Sequence, residues 1–119
     1  MSNAKWRKFF TFVGNSDYNI IRSNWKFIDD DRIFEKIGLP EENDLLEERF
    51  SDGRWLPLEY KIIEYVSISK YCDSLHQDPK RPLPKVEQPI SELNDYLQSK
   101  ANFPLVLSET ELKLQAYEI

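Results

Sequence analysis

The chain has 119 residues, a formal net charge of −5, and 40% hydrophobic and 13% aromatic residues. That composition supplies one domain with a core of its own and excludes a disordered chain. A single cysteine, Cys72, leaves no internal disulfide partner, and no apolar run nears the roughly 18 residues of a membrane-spanning helix, so a cytoplasmic protein with no membrane partner is the expectation.

Asn3 can cap a first helix in which Trp6, Phe9, Phe10 and Val13 fall at i, i+3, i+4 and i+7. Lys5, Arg7 and Lys8 take the other side, and Gly14 is the expected stop. Such an aromatic stripe needs a flat apolar surface, such as a sheet. Tyr18 to Ile28 reads as a strand with Ile21, Trp25 and Phe27 on one face and Arg22, Asn24 and Lys26 on the other; Ile20 and Ile28 break the alternation and admit a bulge or burial on both faces. Asp29, Asp30 and Asp31 then open a short helix carrying Ile33, Phe34 and Ile37, since acids at a helix start offset its dipole. Gly38 and Pro40 end it.

Residues 40–50 admit two readings. Pro40 in a first turn, the acids after it, and Leu45, Leu46, Arg49 and Phe50 on one side fit a helix, which Leu and Glu favour. The alternative is a strand from Leu46 to Phe50 running into a turn at Asp52-Gly53. Glu59 to Ser69 is the clearest strand, apolar on both faces and therefore central. From Tyr71 to Gln88, Pro79, Pro82 and Pro84 forbid regular structure and predict a surface loop. Pro89 starts a helix with Ile90, Leu93, Tyr96 and Leu97 on one side, and Phe103 to Leu107 with Leu112 to Tyr117 forms a terminal hairpin turning at Ser108 to Glu111.

This order predicts an α+β fold in one domain over residues 1–119: an antiparallel or mixed sheet of about four to five strands with the N- and C-terminal-half helices packed on one face. Trp6, Phe10, Trp25, Ile62, Val66 and Leu93 are the expected core.

Catalytic chemistry finds little to stand on. His76 is the only histidine; Cys72 lies four residues before it with Asp73 beside, two ligands where a structural zinc site needs four. An ordinary buried thiol is the plainer reading. Asp29 to Asp31 are not followed by a glycine-bearing calcium loop, and three glycines build no phosphate-cradling loop, so no cofactor or metal is expected and the chain is read as a non-enzyme. Lys5, Arg7, Lys8, Arg22 and Lys26 interleave with Phe9, Tyr18 and Trp25 as a nucleic-acid surface would, but those aromatics belong to the core and the overall charge is negative. No nucleic-acid partner is expected.

Charge is unevenly placed: +4 over residues 1–28, −7 over 29–59 and −2 over 60–119. An acidic block repels nucleic acid and attracts basic proteins, although many such blocks are only solvated surface. The segment from Gly53 to Ile68 resembles a recurring stretch in a family of small uncharacterised bacterial proteins, where a Gly/Pro turn leads into a Tyr-Lys-x-Ile-Glu-aromatic strand; Tyr65 stands where a tryptophan is expected, and the prolines from Pro79 to Pro84 are an insertion. In size and acidity the chain is also similar to immunity proteins of contact-dependent growth inhibition systems. That likeness implies a cognate toxin domain as protein partner, a nuclease being the expected kind. The residues expected to meet it are Asp29, Asp30, Asp31, Glu41, Glu42, Asp44, Glu47, Glu48 and Asp52, with Trp55 as an aromatic anchor or a buried sheet residue. An adaptor using the proline loop or an exposed strand edge, and a small-molecule-binding or enzymatic site at Cys72 and His76, are the alternatives.

Overall fold

A computed structural model describes residues 1–51, 57–75, 80–81 and 83–116. In chain order the elements are α1 (Asn3–Asn15), β1 (Arg22–Phe27), β2 (Ile33–Ile37), a 3-10 turn (Glu42–Asp44), β3 (Arg49–Phe50) and β4 (Leu58–Glu59). A second 3-10 turn (Tyr60–Ile62), β5 (Ile63–Ser69), β6 (Tyr71–Cys72), β7 (Val86–Glu87), α2 (Ile90–Lys100), β8 (Leu105–Leu107) and β9 (Glu111–Gln115) follow. The main sheet has five strands in the order β2-β1-β5-β9-β8, every neighbouring pair antiparallel. The fold is α+β, and β5 is its central strand, as the two-faced apolar pattern predicted.

The sheet buries one side of β1 and of β9, while the edge strands β2 and β8 hold no fully buried residue. Trp25 lies opposite Val66, Val66 opposite Leu114, and Ile68 opposite Leu112, which places these apolar side chains in one layer. The helical stripe of Trp6, Phe9, Phe10 and Val13 is buried, and so are Ile90, Leu93 and Leu97 of α2. Rings form a continuous stack through this layer: Phe10 stacks on Trp6 and on Trp25, each at 5.6 Å between centroids, Trp25 on Phe50 at 5.2 Å, and Phe50 on Tyr60 at 5.7 Å. Of the expected core, Trp6, Phe10, Trp25, Val66 and Leu93 are buried; Ile62 is half-buried against the cluster.

Several expectations are corrected. Ser2, not Asn3, caps α1, its hydroxyl accepting from the Lys5 N–H, and the helix runs one residue past Gly14. There Ser16 donates through both its N–H and its hydroxyl to the Val13 carbonyl. The first strand starts at Arg22 rather than Tyr18, its buried face is Ser23, Trp25 and Phe27, and its register shifts between Lys26 and Phe27, just before Ile28, one of the two positions that break the alternation. The expected helix after Asp29–Asp31 is instead the edge strand β2, with Ile33 and Ile37 60% and 51% exposed on the face of Glu35. Residues 40–50 are not a helix: after the 3-10 turn the chain enters β3, which pairs with β4, so the strand alternative holds for Arg49 and Phe50. Tyr60 to Ile62, read as strand, is a 3-10 turn. The proline-rich stretch is bracketed by a short ladder, Tyr71 opposite Glu87 and Cys72 opposite Val86. The second helix and the terminal hairpin stand as expected, the hairpin's strand ending at Gln115. The Asp52-Gly53 turn, Trp55, His76, Pro79, Pro82 and Tyr117 lie outside the described residues.

Candidate functional site

The acidic residues fall into two groups. Asp29, Asp30 and Asp31 occupy the turn from β1 to β2, while Glu41, Glu42 and Asp44 follow the other end of β2. The five residues of β2, at roughly 3.3 Å each, lie between the two groups. The structure therefore divides the single patch that the sequence suggests.

In the first group Asp30 is committed to the fold. Its carboxylate takes two bonds from the Arg32 guanidinium, at 3.0 and 2.8 Å, and a third from the Arg32 N–H at 2.9 Å. The side-chain bonds first, and then the backbone bond, hold its pKa down at about 2. A depressed acid favours the folded state at pH values above its ordinary 3.8, and that contribution disappears as pH falls through about 2. We expect the Asp30 carboxyl resonance to titrate near 2 in the native chain and clearly higher in Arg32→Ala, which keeps only the backbone N–H bond; an unchanged midpoint would disprove the pairing. Asp29 and Asp31 are exposed, with no ion-pair partner among the described residues.

The second group runs back along α1. Gly38 adopts φ +68°, a conformation open to glycine, and turns the chain at the end of β2. This turn is tied down twice: the Gly38 N–H donates to the Ile21 carbonyl at 2.7 Å, and the buried Ser23 hydroxyl donates to the Gly38 carbonyl at 2.6 Å. The Glu41 N–H donates to the Asp44 carboxylate at 2.9 Å, which closes the 3-10 turn. Farther on, the Arg7 guanidinium of α1 binds the Glu47 carbonyl, and the Tyr60 N–H and hydroxyl donate to the carbonyls of Glu48 and Leu46. These are bonds to backbone, so the carboxylates of Glu41, Glu42, Glu47 and Glu48 stay exposed, without an ion-pair partner among the described residues. Asp52 and Trp55 lie outside the described residues.

Where this strip begins, it forms one wall of a groove of about 530 Å³. The last turn of α1 and residues 15–20 make the other wall, which adds Asp17, a residue the sequence reading passed over. Gly38, which turns the chain at the end of β2, was the signal available.

The basic residues do not assemble into a surface. Arg22 donates to Glu35 and to the Asp73 and Ser74 carbonyls, Lys26 to the Phe27 carbonyl, and Lys5 lies over the Phe103 ring. Phe9 and Trp25 are buried, which removes them as stacking platforms for bases. Cys72 is buried beside a small cavity of about 90 Å³ that Arg22, Asp73 and Lys85 also line. Burial pushes its thiol pKa up, the opposite of what a nucleophile needs, while the Lys85 ammonium at 2.5 Å holds Asp73 low. Among the described residues no three His, Cys, Asp or Glu side chains are placed to hold a metal ion, and no helix is long and apolar enough to cross a membrane.

Comparison of the chain with protein families, with curated proteins and with solved structures finds no match.

Proposed function

We propose that this protein is an immunity-type inhibitor that binds a cognate toxin domain, of the nuclease kind, and covers its basic substrate cleft with an acidic surface. One observation carries the reading: Glu41, Glu42, Glu47 and Glu48 project from a segment that bonds to the rest of the fold through its backbone, which leaves the four carboxylates exposed and without an ion-pair partner among the described residues. A surface of that kind substitutes for a phosphate backbone, raises the encounter rate, and gives an association that salt weakens. The buried, high-pKa thiol of Cys72 lends no support to a nucleophilic role.

The test is titration calorimetry at two salt concentrations against the C-terminal domain encoded by the adjacent upstream gene, the position a toxin gene takes beside its immunity gene. Tight, salt-sensitive one-to-one binding is the expected result. Glu47→Lys with Glu48→Lys should slow association about tenfold or more at low salt and leave the fold unchanged, since their side chains carry no structural bond among the described residues. No binding to that domain retires the inhibitor reading, and a stable complex with a housekeeping partner instead would establish an adaptor.

A further inference from the structure

We propose that the groove at the carboxyl end of α1 is the seat for an arginine or lysine side chain from a basic loop of the partner protein. This deepens the partner-binding reading above and rests on it. The cavity of about 530 Å³ falls within the roughly 300–1,000 Å³ of ordinary ligand sites. Its floor is apolar, built by Val13, Ile20 and Pro40, all buried. Its polar lining joins hydroxyls and amides, such as those of Thr11, Asn19 and Asn43, to a set of acceptors.

Two kinds of acceptor converge there. The aligned peptides of α1 end in a partial negative charge, and the last turn holds no basic residue to offset it. Among the described residues no donor reaches the carbonyls of Gly14 and Asn15, because Ser16 turns its own donors to Val13 and the Tyr18 N–H goes to the Ser16 hydroxyl. Added to these are the carboxylates of Asp17, Glu41 and Glu42, and no Lys, Arg or His lines the groove among the described residues. The arrangement suits a long cationic side chain part by part. The methylene stem lies on the apolar floor, and the charged head meets carbonyls and carboxylates at the rim.

Charge complementarity selects a protein segment as occupant. The acidic strip continues from the groove along α1 to Glu47 and Glu48, so a loop with spaced basic residues meets negative charge along its length. At the far end Arg7 already answers part of that charge, whereas the groove end has no base of its own.

The probe is a nine-residue peptide of alternating arginine and glycine, titrated into the isotopically labelled full chain and followed by NMR. We expect saturable shifts at the amides of Gly14, Asn15, Asp17, Gly38 and Glu42, absent with the same peptide carrying citrulline for arginine. Asp17→Asn with Glu42→Gln should weaken binding about tenfold or more, while Asp95→Asn with Glu109→Gln, which removes equal charge from exposed sites elsewhere, should not. Shifts spread evenly over the acidic residues, equal loss in both double variants, or equally tight binding of spermidine would each overturn the proposal. The two readings fail separately. A toxin domain that binds the chain but is indifferent to Asp17→Asn with Glu42→Gln sinks the groove and keeps the inhibitor. A saturable peptide site with no toxin binding does the reverse.

Discussion

Phe10→Ala is expected to lower the unfolding free energy by about 3–5 kcal/mol. Phe10 is fully buried, its ring lies between Trp6 and Trp25 at 5.6 Å from each, and Phe9 and Phe50 close the sides at 5.3 and 6.3 Å. Removing it deletes the transfer energy of the ring, opens a cavity that neighbours from α1, β1 and β3 cannot jointly fill, and breaks two stacked pairs worth roughly 0.5–1.5 kcal/mol each beyond their area. Against a domain stability of ~5–15 kcal/mol, that is a large fraction. Phe12→Ala is the comparison. Phe12 sits on the same helix but is half-buried, touching the Phe103 ring edge-on at 6.2 Å, and its loss should be clearly smaller. Urea unfolding measures both; equal midpoint shifts would mean that the stack through Phe10 is not the centre of the core.

The stripe that positions Phe10 was readable because it is purely local. Four apolar residues at helical spacing and bases on the opposite face need no knowledge of the rest of the chain, although the cap falls one residue earlier, on Ser2. The same holds for the terminal hairpin and for β5. The failures have a common physical form. Residues 29–37 carry acids followed by Ile33, Phe34 and Ile37, which matches a helix start and one helical face. The structure instead uses the alternation, with Phe34 half-buried and the two isoleucines exposed beside Glu35. Exposed isoleucines carry the same letters as buried ones, so the apolar pattern misreported the period. Residues 40–50 have helical propensity, yet the pairing of Arg49 and Phe50 with Glu59 and Leu58 wins. That choice is made by a partner segment several residues farther along the chain, and by Phe50 closing the aromatic stack, neither visible in a local window.

The candidate site shows the same division. That Glu41, Glu42, Glu47 and Glu48 are exposed follows from their chemistry. That Asp29–Asp31 stand apart from them, and that Asp17 joins them, follows from the length of β2 and from the turn at Gly38. A glycine before Leu39-Pro40 reads equally well as a helix stop, and only the bonds to Ile21 and Ser23 make it the hinge that faces the acids toward the end of α1.

Gln88 is the residue least visible in the sequence and one of the most consequential in the fold, and Gln88→Leu is expected to cost on the order of 3 kcal/mol or more, as each orphaned buried polar group costs about 1–3 kcal/mol. It sits between a proline-rich stretch and Pro89, where a surface glutamine is the ordinary expectation, yet it is 1% exposed. Its amide is saturated. The oxygen accepts from the Ile21 and Arg22 N–H groups at 2.8 and 3.2 Å, and the nitrogen donates to the Arg22 and Ser69 carbonyls at 3.2 and 2.9 Å. One side chain thus serves backbone groups at the start of β1 and at the end of β5, at the point where the sheet gives way to the β6–β7 ladder. Leucine keeps the volume and leaves those groups unpaired, so the penalty is desolvation rather than lost packing. Gln98→Leu, at an exposed position on α2, should change stability by no more than about 0.5 kcal/mol. Hydrogen exchange separates this cause from a general loosening: in Gln88→Leu the amides of Ile21 and Arg22 should lose protection ahead of those in α1 and β9. If they keep it, or if the two leucine variants unfold alike, the amide of Gln88 is not what holds the start of β1 to the sheet.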